Sequence, residues 1–336
     1  MKLYVIKEPG GGLDSLTLIE RPVPCPGRRE VLIKMRAVCF NPRDLFVLKA
    51  ASYFNNFPLI PLSDGIGEVV VAGEEVTRVK AGDRVAGIFM QHWLDGRITP
   101  EMTRSALGGP INGVLAEYVV LHEDGVVHVP DKFTDEEAAA LPLAAVTAWN
   151  AVVDTGKVSA GETMVVLGTG SVSLFAIQFA HALNARVIVA SSSDEKLARV
   201  RELCAVETIN YKQTPDWDRV VLELTDGVGC DHLLELGGAP TIQRSIEAVR
   251  MNGQILALGA ASGVPGAVPA LPVILKSLNI RGLYVGSRAM FESMNDFIAR
   301  HLIHSIVNRV FDFEEAYEAY DYFARSGHFG KVCIIV

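Results

Sequence analysis

Short apolar runs broken every few positions by Gly or Pro fill the first 123 or so residues, and beyond Glu162 the texture changes to apolar runs alternating with amphipathic ones. In the first stretch, KLYVI, EVLIKMRAV, GEVVVAG, RVAGIF and LAEYVVL have the length and residue types of strands, which predicts barrel-like, mostly antiparallel structure. In the second, strands are expected at 164–167, 186–190, 207–209, 232–235, 254–258 and 280–285, with helices between them. That alternation is the mark of a parallel sheet covered on both faces. After Ser287 a helix over 291–303, a strand over 306–311, a helix over 313–324 and a last strand over 331–336 are expected to return to the first domain. No internal repeat or low-complexity tract breaks the pattern.

Residues 164 to 191, MVVLGTGSVSLFAIQFAHALNARVIVAS, read as strand, glycine turn, helix and second strand. This unit seats a dinucleotide pyrophosphate on a helix N-terminus. Gly168 and Gly170 allow a tight turn in which backbone N–H groups reach the phosphates, and the helix dipole favours the same charge. Ser173 stands at the third fingerprint position in place of glycine, a small residue that still permits close packing.

A length of 336 residues suggests two domains. With 49% hydrophobic and 21% charged residues the chain can bury a sizeable core, and a formal net charge of −8 disfavours general binding to nucleic acid or to an anionic membrane. Cys25, Cys39, Cys204, Cys230 and Cys333 are scattered without C-x-x-C spacing, so reduced thiols in a cytoplasmic protein are expected. The N-terminal MKLYVIKEPGGG reads as a strand rather than a secretory leader, and the apolar stretch over 138–153 is interrupted by Pro142, Thr147 and Asn150.

GDRV at 82–85, GVLAEYVV at 113–120, GTGSVS at 168–173 and GKVCIIV from Gly330 together resemble the medium-chain dehydrogenase/reductase superfamily over essentially the whole chain. The resemblance implies an α/β protein in which a GroES-like β-barrel catalytic domain, residues 1–123 and 291–336, is split by a doubly wound Rossmann domain, residues 124–290, with the active site in the cleft between them. Zinc-dependent members carry a C-H-x-D pattern and then G-H-E; here the stretches are NPRD at 41–44 and LSDG at 62–65. Asn41 stands at the cysteine and Ser63 at the histidine, neither a competent zinc ligand. Residues 91–112, where a structural zinc would take four cysteines, contain none. The chain is therefore expected to be free of zinc at both sites. AVCFNPRD at 37–44 is similar to the quinone oxidoreductase-like branch, and PLSDG, SALGGP at 105–110 and VGSR at 285–288 to a subgroup often labelled alcohol dehydrogenase.

NAD-selective Rossmann proteins place a carboxylate about 20 residues past the glycines, where it binds the ribose 2′-OH. Ser191, Ser192 and Ser193 come first here, with Lys196 and Arg199 just beyond, and the resemblance puts Tyr211 at a position beside the adenosine 2′-phosphate, so NADP(H) is the expected cofactor. Lys196 and Arg199 equally suit a solvated helix face. Thr169, Ser171 and Val172 complete the cofactor turn, while Gly237, Gly238 and Gly259 follow strands at ends where α/β sheets bind ligands. Ser287 and Arg288 are placed to reach the nicotinamide end or the diphosphate, and Arg288 equally suits an interface or domain-bridging role.

Without a metal, hydride transfer has to rely on hydrogen bonds, and a quinone or α,β-unsaturated carbonyl spreads the developing charge over a conjugated system. The resemblance makes Asn41 the leading group to orient a carbonyl or the nicotinamide ribose, with a barrel-loop hydrogen bond as the alternative, and Thr147 the residue at the nicotinamide, with helix packing as the alternative. Tyr53 is a candidate proton donor or an exposed aromatic. Asp44, Ser63 and Asp64 are expected to organise the cleft, a direct acid–base role being the alternative, and the segment 91–112 with His92 and Trp93 to border the pocket or form a surface lobe. An NADPH-dependent quinone or enone reductase is the main reading. A dehydrogenase of a simple alcohol and a non-catalytic NADPH-binding protein are its alternatives. The apolar edge NIRGLYVGS suggests a homodimer.

Overall fold

The computed structural model describes residues 1–49, 57–204, 206–259, 266–325 and 327–336. They form two compact units, Met1–Val146 with Val285–Val336, and Thr147–Tyr284. The sequence boundaries at 123 and 290 therefore fall inside the first unit. The reason is local pairing: strand Val126–His128 joins the first unit's sheet, and the Arg288 guanidinium and N–H bond to Asp124 and to the carbonyl of Trp93.

The first unit contains β1 (Lys2–Ile6), β2 (Leu16–Glu20), β3 (Glu30–Cys39), β4 (Asp64–Ala72), β5 (Arg84–Gly87), β6 (Tyr118–His122) and β7 (Val126–His128). Strands β14 (Val307–Asp312) and β15 (Lys331–Ile335) close it from the C-terminal end of the chain. One seven-stranded sheet runs β14-β15-β3-β4-β5-β7 with β6 also on β3, and only β14–β15 is a parallel pair. Its hydrophobic cluster includes Tyr4, Phe40, Leu59, Phe311, Tyr320 and Phe323. The Phe40 ring meets Tyr320 edge-on at 4.7 Å and stacks on Phe323 at 5.3 Å. Burying each such ring contributes roughly 1.5–3 kcal/mol, so these contacts tie the C-terminal segment to the residue just before Asn41.

The second unit contains β8 (Thr163–Leu167), β9 (Arg186–Ser191), β10 (Glu207–Asn210), β11 (Cys230–Glu235), β12 (Val249–Ala257) and β13 (Asn279–Gly282). All pair in parallel, in the order β10-β9-β8-β11-β12-β13. Every residue of β8 is buried, as a central strand with both faces covered requires. The helix Ser171–Ala182 buries all of residues 173–180, so its apolar character all round answers to a position inside the layers. The strand order reverses beside β8, which places the ends of β8, β9 and β11 where such sheets bind ligands. Among the described residues no helix is long and apolar enough to cross a membrane.

One expectation is overturned, because Cys39 and Cys333 form a disulfide instead of two thiols. The last residue of β3 lies directly opposite Cys333 of β15, with 4.2 Å between Cα atoms, although 294 residues separate them in the chain. Three cysteines stay free, and burial pushes the Cys204 thiol up to about 11 and that of Cys230 to about 12. Thiol titration in denaturant without reductant is accordingly expected to find three groups, rising to five after reduction. Five before reduction would refute the pairing.

Candidate functional site

The turn after β8 has the geometry of a phosphate cradle. Gly168 sits at φ +81°, a left-handed conformation that L side chains rarely adopt, and a side chain added at Gly170 would meet no atom within 4 Å. No side chain caps the N-terminus of helix Ser171–Ala182, leaving its first N–H groups without a side-chain partner and the positive end of its dipole uncovered. Ser173 explains the missing third glycine: its hydroxyl folds back to donate to the carbonyl of Leu167 at 3.0 Å and is buried there. Ser171 and Val172 form the first turn, and the Thr169 hydroxyl lies 3.5 Å from that of Ser191.

A cavity of about 330 Å³ opens beside this turn, lined by Gly168, Tyr211, Trp217, Gly237, Pro240, Thr241 and Arg244 among others. Its far wall is held by Glu235, which is buried. That carboxylate accepts the N–H of Gly237 at 2.7 Å and of Gly238 at 3.0 Å, together with the hydroxyls of Thr241 and Ser245. Gly259 closes on the same loop, since a side chain there would meet the Leu236 carbonyl. At the end of β9 the Tyr211 N–H donates to the Ser191 carbonyl at 3.0 Å, which brings Ser191, Ser192 and Tyr211 together. The first carboxylate past the strand, Asp194, accepts from Asn210 at 2.8 Å and Gln213 at 2.6 Å. Ser193 caps the next helix by accepting the Lys196 N–H, and burial, aided by the charge of Arg199, holds the Lys196 ammonium below its usual range. Open space over the glycines, uncapped N–H groups and an apolar recess fit a dinucleotide.

The polar candidates of the first unit gather where three strands end. Asp64 opens β4 opposite Cys39, and Lys331 opens β15. The Lys331 ammonium, 1% exposed, donates to Asn41 Oδ1 at 2.7 Å, Asp64 Oδ2 at 3.0 Å and the Phe40 carbonyl at 3.1 Å. Ser63 donates to the other Asp64 oxygen at 3.1 Å. Leu62, just before it, is held at φ +64°, a strain of about 1–3 kcal/mol. Its carbonyl lies where a side chain at Gly113 would be, so glycine is required there. The Asn41 N–H donates to Asp44 Oδ2 at 2.7 Å, and Asp44 is also paired with Arg43 at 3.1 Å. Asn41 Nδ2 is buried and has no partner.

This donor set does not fit zinc. An amide and a hydroxyl stand at the two mapped ligand positions, and the neighbouring carboxylate is already bonded to an ammonium. Among the described residues no group of three or more His, Cys, Asp or Glu could hold a metal.

The remaining candidates divide between the units. Thr147, buried, lies in the second unit in a helical stretch flanked by π-helical turns at Leu141–Ala145 and Asn150–Thr155. Ser287 belongs to the first unit and caps helix Arg288–Arg300 by accepting the Met290 N–H, while Arg288 is bonded within that same unit to Asp124 at 3.1 Å. Tyr53 lies outside the described residues. Lys331 and Glu235 were missed as site residues because neither occupies a motif position with a known polar task. The GK of the closing motif was the available signal for Lys331.

Burial raises the Asp44 carboxyl to about 6; the Asp64 charge adds to this, while Arg43, the Asn41 N–H and Lys331 oppose it. In the pH 4–6 window the folded chain thus keeps a proton that the unfolded chain has released. This contribution to stability is full below pH 4 and lost as pH rises through 6. Urea unfolding across that window is expected to show this decline in the wild type and a flatter profile in Asp44→Asn, whose amide oxygen can still accept the Asn41 N–H. Parallel profiles would contradict the assignment.

Residues 27–131 match the model of the alcohol dehydrogenase GroES-like domain, and residues 171–300 that of the zinc-binding dehydrogenases. A zinc-type alcohol dehydrogenase-like protein of Schizosaccharomyces pombe is 41% identical over 98% of this chain and 98% of its own. A quinone oxidoreductase of Pseudomonas aeruginosa is 33% identical over 92% of each. Among solved structures, one titled NAD-dependent alcohol dehydrogenase superposes with a TM-score of 0.90 at 33% identity over the full length of both chains. A quinone oxidoreductase of Pseudomonas syringae reaches 0.84 at 27%, covering 100% of this chain and 99% of that one. With its strand order, its glycine turn and these full-length likenesses, the chain belongs to the medium-chain dehydrogenase/reductase superfamily and is an oxidoreductase of that nicotinamide-dependent family.

Proposed function

We propose that this protein reduces a quinone or an α,β-unsaturated carbonyl with NADPH and without a metal ion. The observation that carries this reading is the Asn41 amide, whose oxygen is held by Lys331 while its buried Nδ2 has no partner. An unsatisfied buried donor costs about 1–3 kcal/mol, a cost that an accepting substrate oxygen removes. When bound, the nicotinamide supplies the hydride. Asn41 Nδ2 then donates to the oxygen on which negative charge grows, and conjugation in the acceptor lowers the charge that this single donor has to balance. Asp64, neutralised by Lys331, contributes no uncompensated negative charge beside that oxygen.

NADPH over NADH is supported by the end of β9, where Ser191, Ser192 and Tyr211 stand and the Asp194 carboxylate is turned away onto Asn210 and Gln213. A second reading, oxidation of a simple alcohol, is favoured by the names of the alcohol dehydrogenase relatives. NADPH oxidation followed against a panel of quinones and enones is expected to give turnover, with NADH poorer. Asn41→Ala should lower kcat/KM about 100-fold, and Ser192→Asp should shift the preference toward NADH. Oxidation of small alcohols with stoichiometric zinc would reject this function, and cofactor binding with no reduction of any acceptor would favour a non-catalytic role.

The reading includes a homodimer. Strand β13 ends the sheet, and beside it helix Ala270–Leu275 has no buried residue, with Leu271, Ile274 and Leu275 exposed. A two-fold axis beside an edge strand lets the same N–H and C=O groups pair with their copies, which covers an otherwise open edge. Sedimentation is expected to show dimers for the wild type and monomers for Ile274→Glu combined with Leu275→Glu. Wild-type monomers at micromolar concentration would discard this part.

A further inference from the structure

We propose that Lys331 is a positioning residue that locks the Asn41 side-chain amide in one orientation, so that its NH₂ and never its oxygen is available to a ligand. This rests on the reading of Asn41 as the donor to substrate, and it explains why that donor is available. Asn41 precedes helix Pro42–Lys49, where an asparagine ordinarily uses its side-chain oxygen to cap the first-turn N–H groups. Here the cap is made by other atoms: the Asn41 N–H donates to Asp44 Oδ2, and its carbonyl accepts the Asp44 N–H at 2.9 Å. The amide oxygen is thereby left for Lys331, 2.7 Å away.

An asparagine amide is nearly symmetric in shape, and a neighbour able both to donate and to accept would tolerate either orientation. An ammonium has three donors and no acceptor, and all three protons of Lys331 point at oxygens. Turning the Asn41 amide over would set its N–H groups against those of Lys331, in a place from which water is excluded. The position of the ammonium is itself fixed. Asn41 lies two residues beyond Cys39 and Lys331 two before Cys333, so the antiparallel register that pairs those cysteines brings the two side chains to the same end of the sheet. The Lys331 N–H is held by the Ile306 carbonyl at 2.8 Å, and Asp64, fully buried, anchors the ammonium from β4, on the far side of β3.

The test combines kinetics with a signal from Asn41 itself. Lys331→Met removes the ammonium, Lys331→Gln keeps a polar group that can both donate and accept, and Lys331→Arg keeps a cation that only donates. With NADPH and 1,4-benzoquinone, the Met and Gln variants are expected to lose about tenfold or more in kcat with KM for NADPH little changed, and Arg to recover most of the loss. In an Asn41→Ala background the same Lys331 substitutions should have almost no further effect, because there is no amide left to orient. In ¹⁵N-asparagine-labelled protein, the side-chain NH₂ signals that vanish in Asn41→Ala should be sharp in the wild type and in Lys331→Arg and broadened or doubled in Lys331→Gln. Additive losses in the double variants, or unchanged Asn41 signals in Lys331→Gln, would overturn the assignment. If the wild-type protein reduces no quinone or enone, the proposed reaction fails while the amide signals still decide the role of Lys331.

Discussion

A lysine ammonium taken out of water needs an oxygen for each of its three protons, and Lys331 finds them only where β3, β4 and β15 end together. The desolvation cost of burying two charges is several kcal/mol each, so the pair with Asp64 is tolerable only when the geometry is good and the remaining hydrogen bonds are made. That demand ties the first residue of β15 to the first residue of β4 and to the residue that leads into the helix Pro42–Lys49. It also explains why the strand ends carry so much fixed backbone. Leu62 keeps a left-handed conformation, and Gly113 leaves room for its carbonyl. The strained turn holds because packing and hydrogen bonds around it leave few alternatives, as is usual where strain accompanies a functional site.

The second unit solves a different problem with the same economy of polar groups. A parallel sheet buried on both faces has no room for polar side chains along its strands, so they collect at the ends. There they fall into two kinds. Glu235 and Asp194 serve the scaffold, one fixing the turn that carries Gly237 and Gly238 and the other joining the loops after β9 and β10. The N–H groups in the first turn of helix Ser171–Ala182, which no side chain caps, belong to the other kind. Of the two carboxylates, Glu235 is buried and Asp194 lies at the surface, each held by hydrogen bonds to its own loops.

The parallel sheet was highly legible because its strands are short, apolar and separated by helices of clear period. The errors fall at edges. Strand β12 starts at Val249, earlier than the apolar run suggests, because its register with β11 is irregular near Cys230. Strand β13 stops at Gly282, whereas the apolar sequence continues to Val285, which adopts φ +58° and turns the chain into the first unit. Arg288 could be read from sequence as a cofactor contact or as a bridge, and the fold ties it to Asp124, 164 residues earlier but in the same unit. The cysteine pair was illegible for the same reason as Lys331: 294 residues of chain separate residues that the β3–β15 ladder sets side by side.

Local sequence by itself determined the class of the fold, the glycine turn that can receive a dinucleotide and the absence of thiol and imidazole at the two mapped metal-ligand positions. These depend on periodicity, on glycine's backbone freedom and on the chemistry of single residue types, all of which act over a few residues. Tertiary structure decided what the remaining polar groups do. Whether Asn41 presents its oxygen or its nitrogen, whether Asp194 faces outward or is tied to Asn210, and whether Cys39 is a thiol or half of a disulfide are set by partners from distant strands. A hydrogen bond has direction and a buried charge has a desolvation cost, and neither can be evaluated until the fold has brought donor and acceptor together.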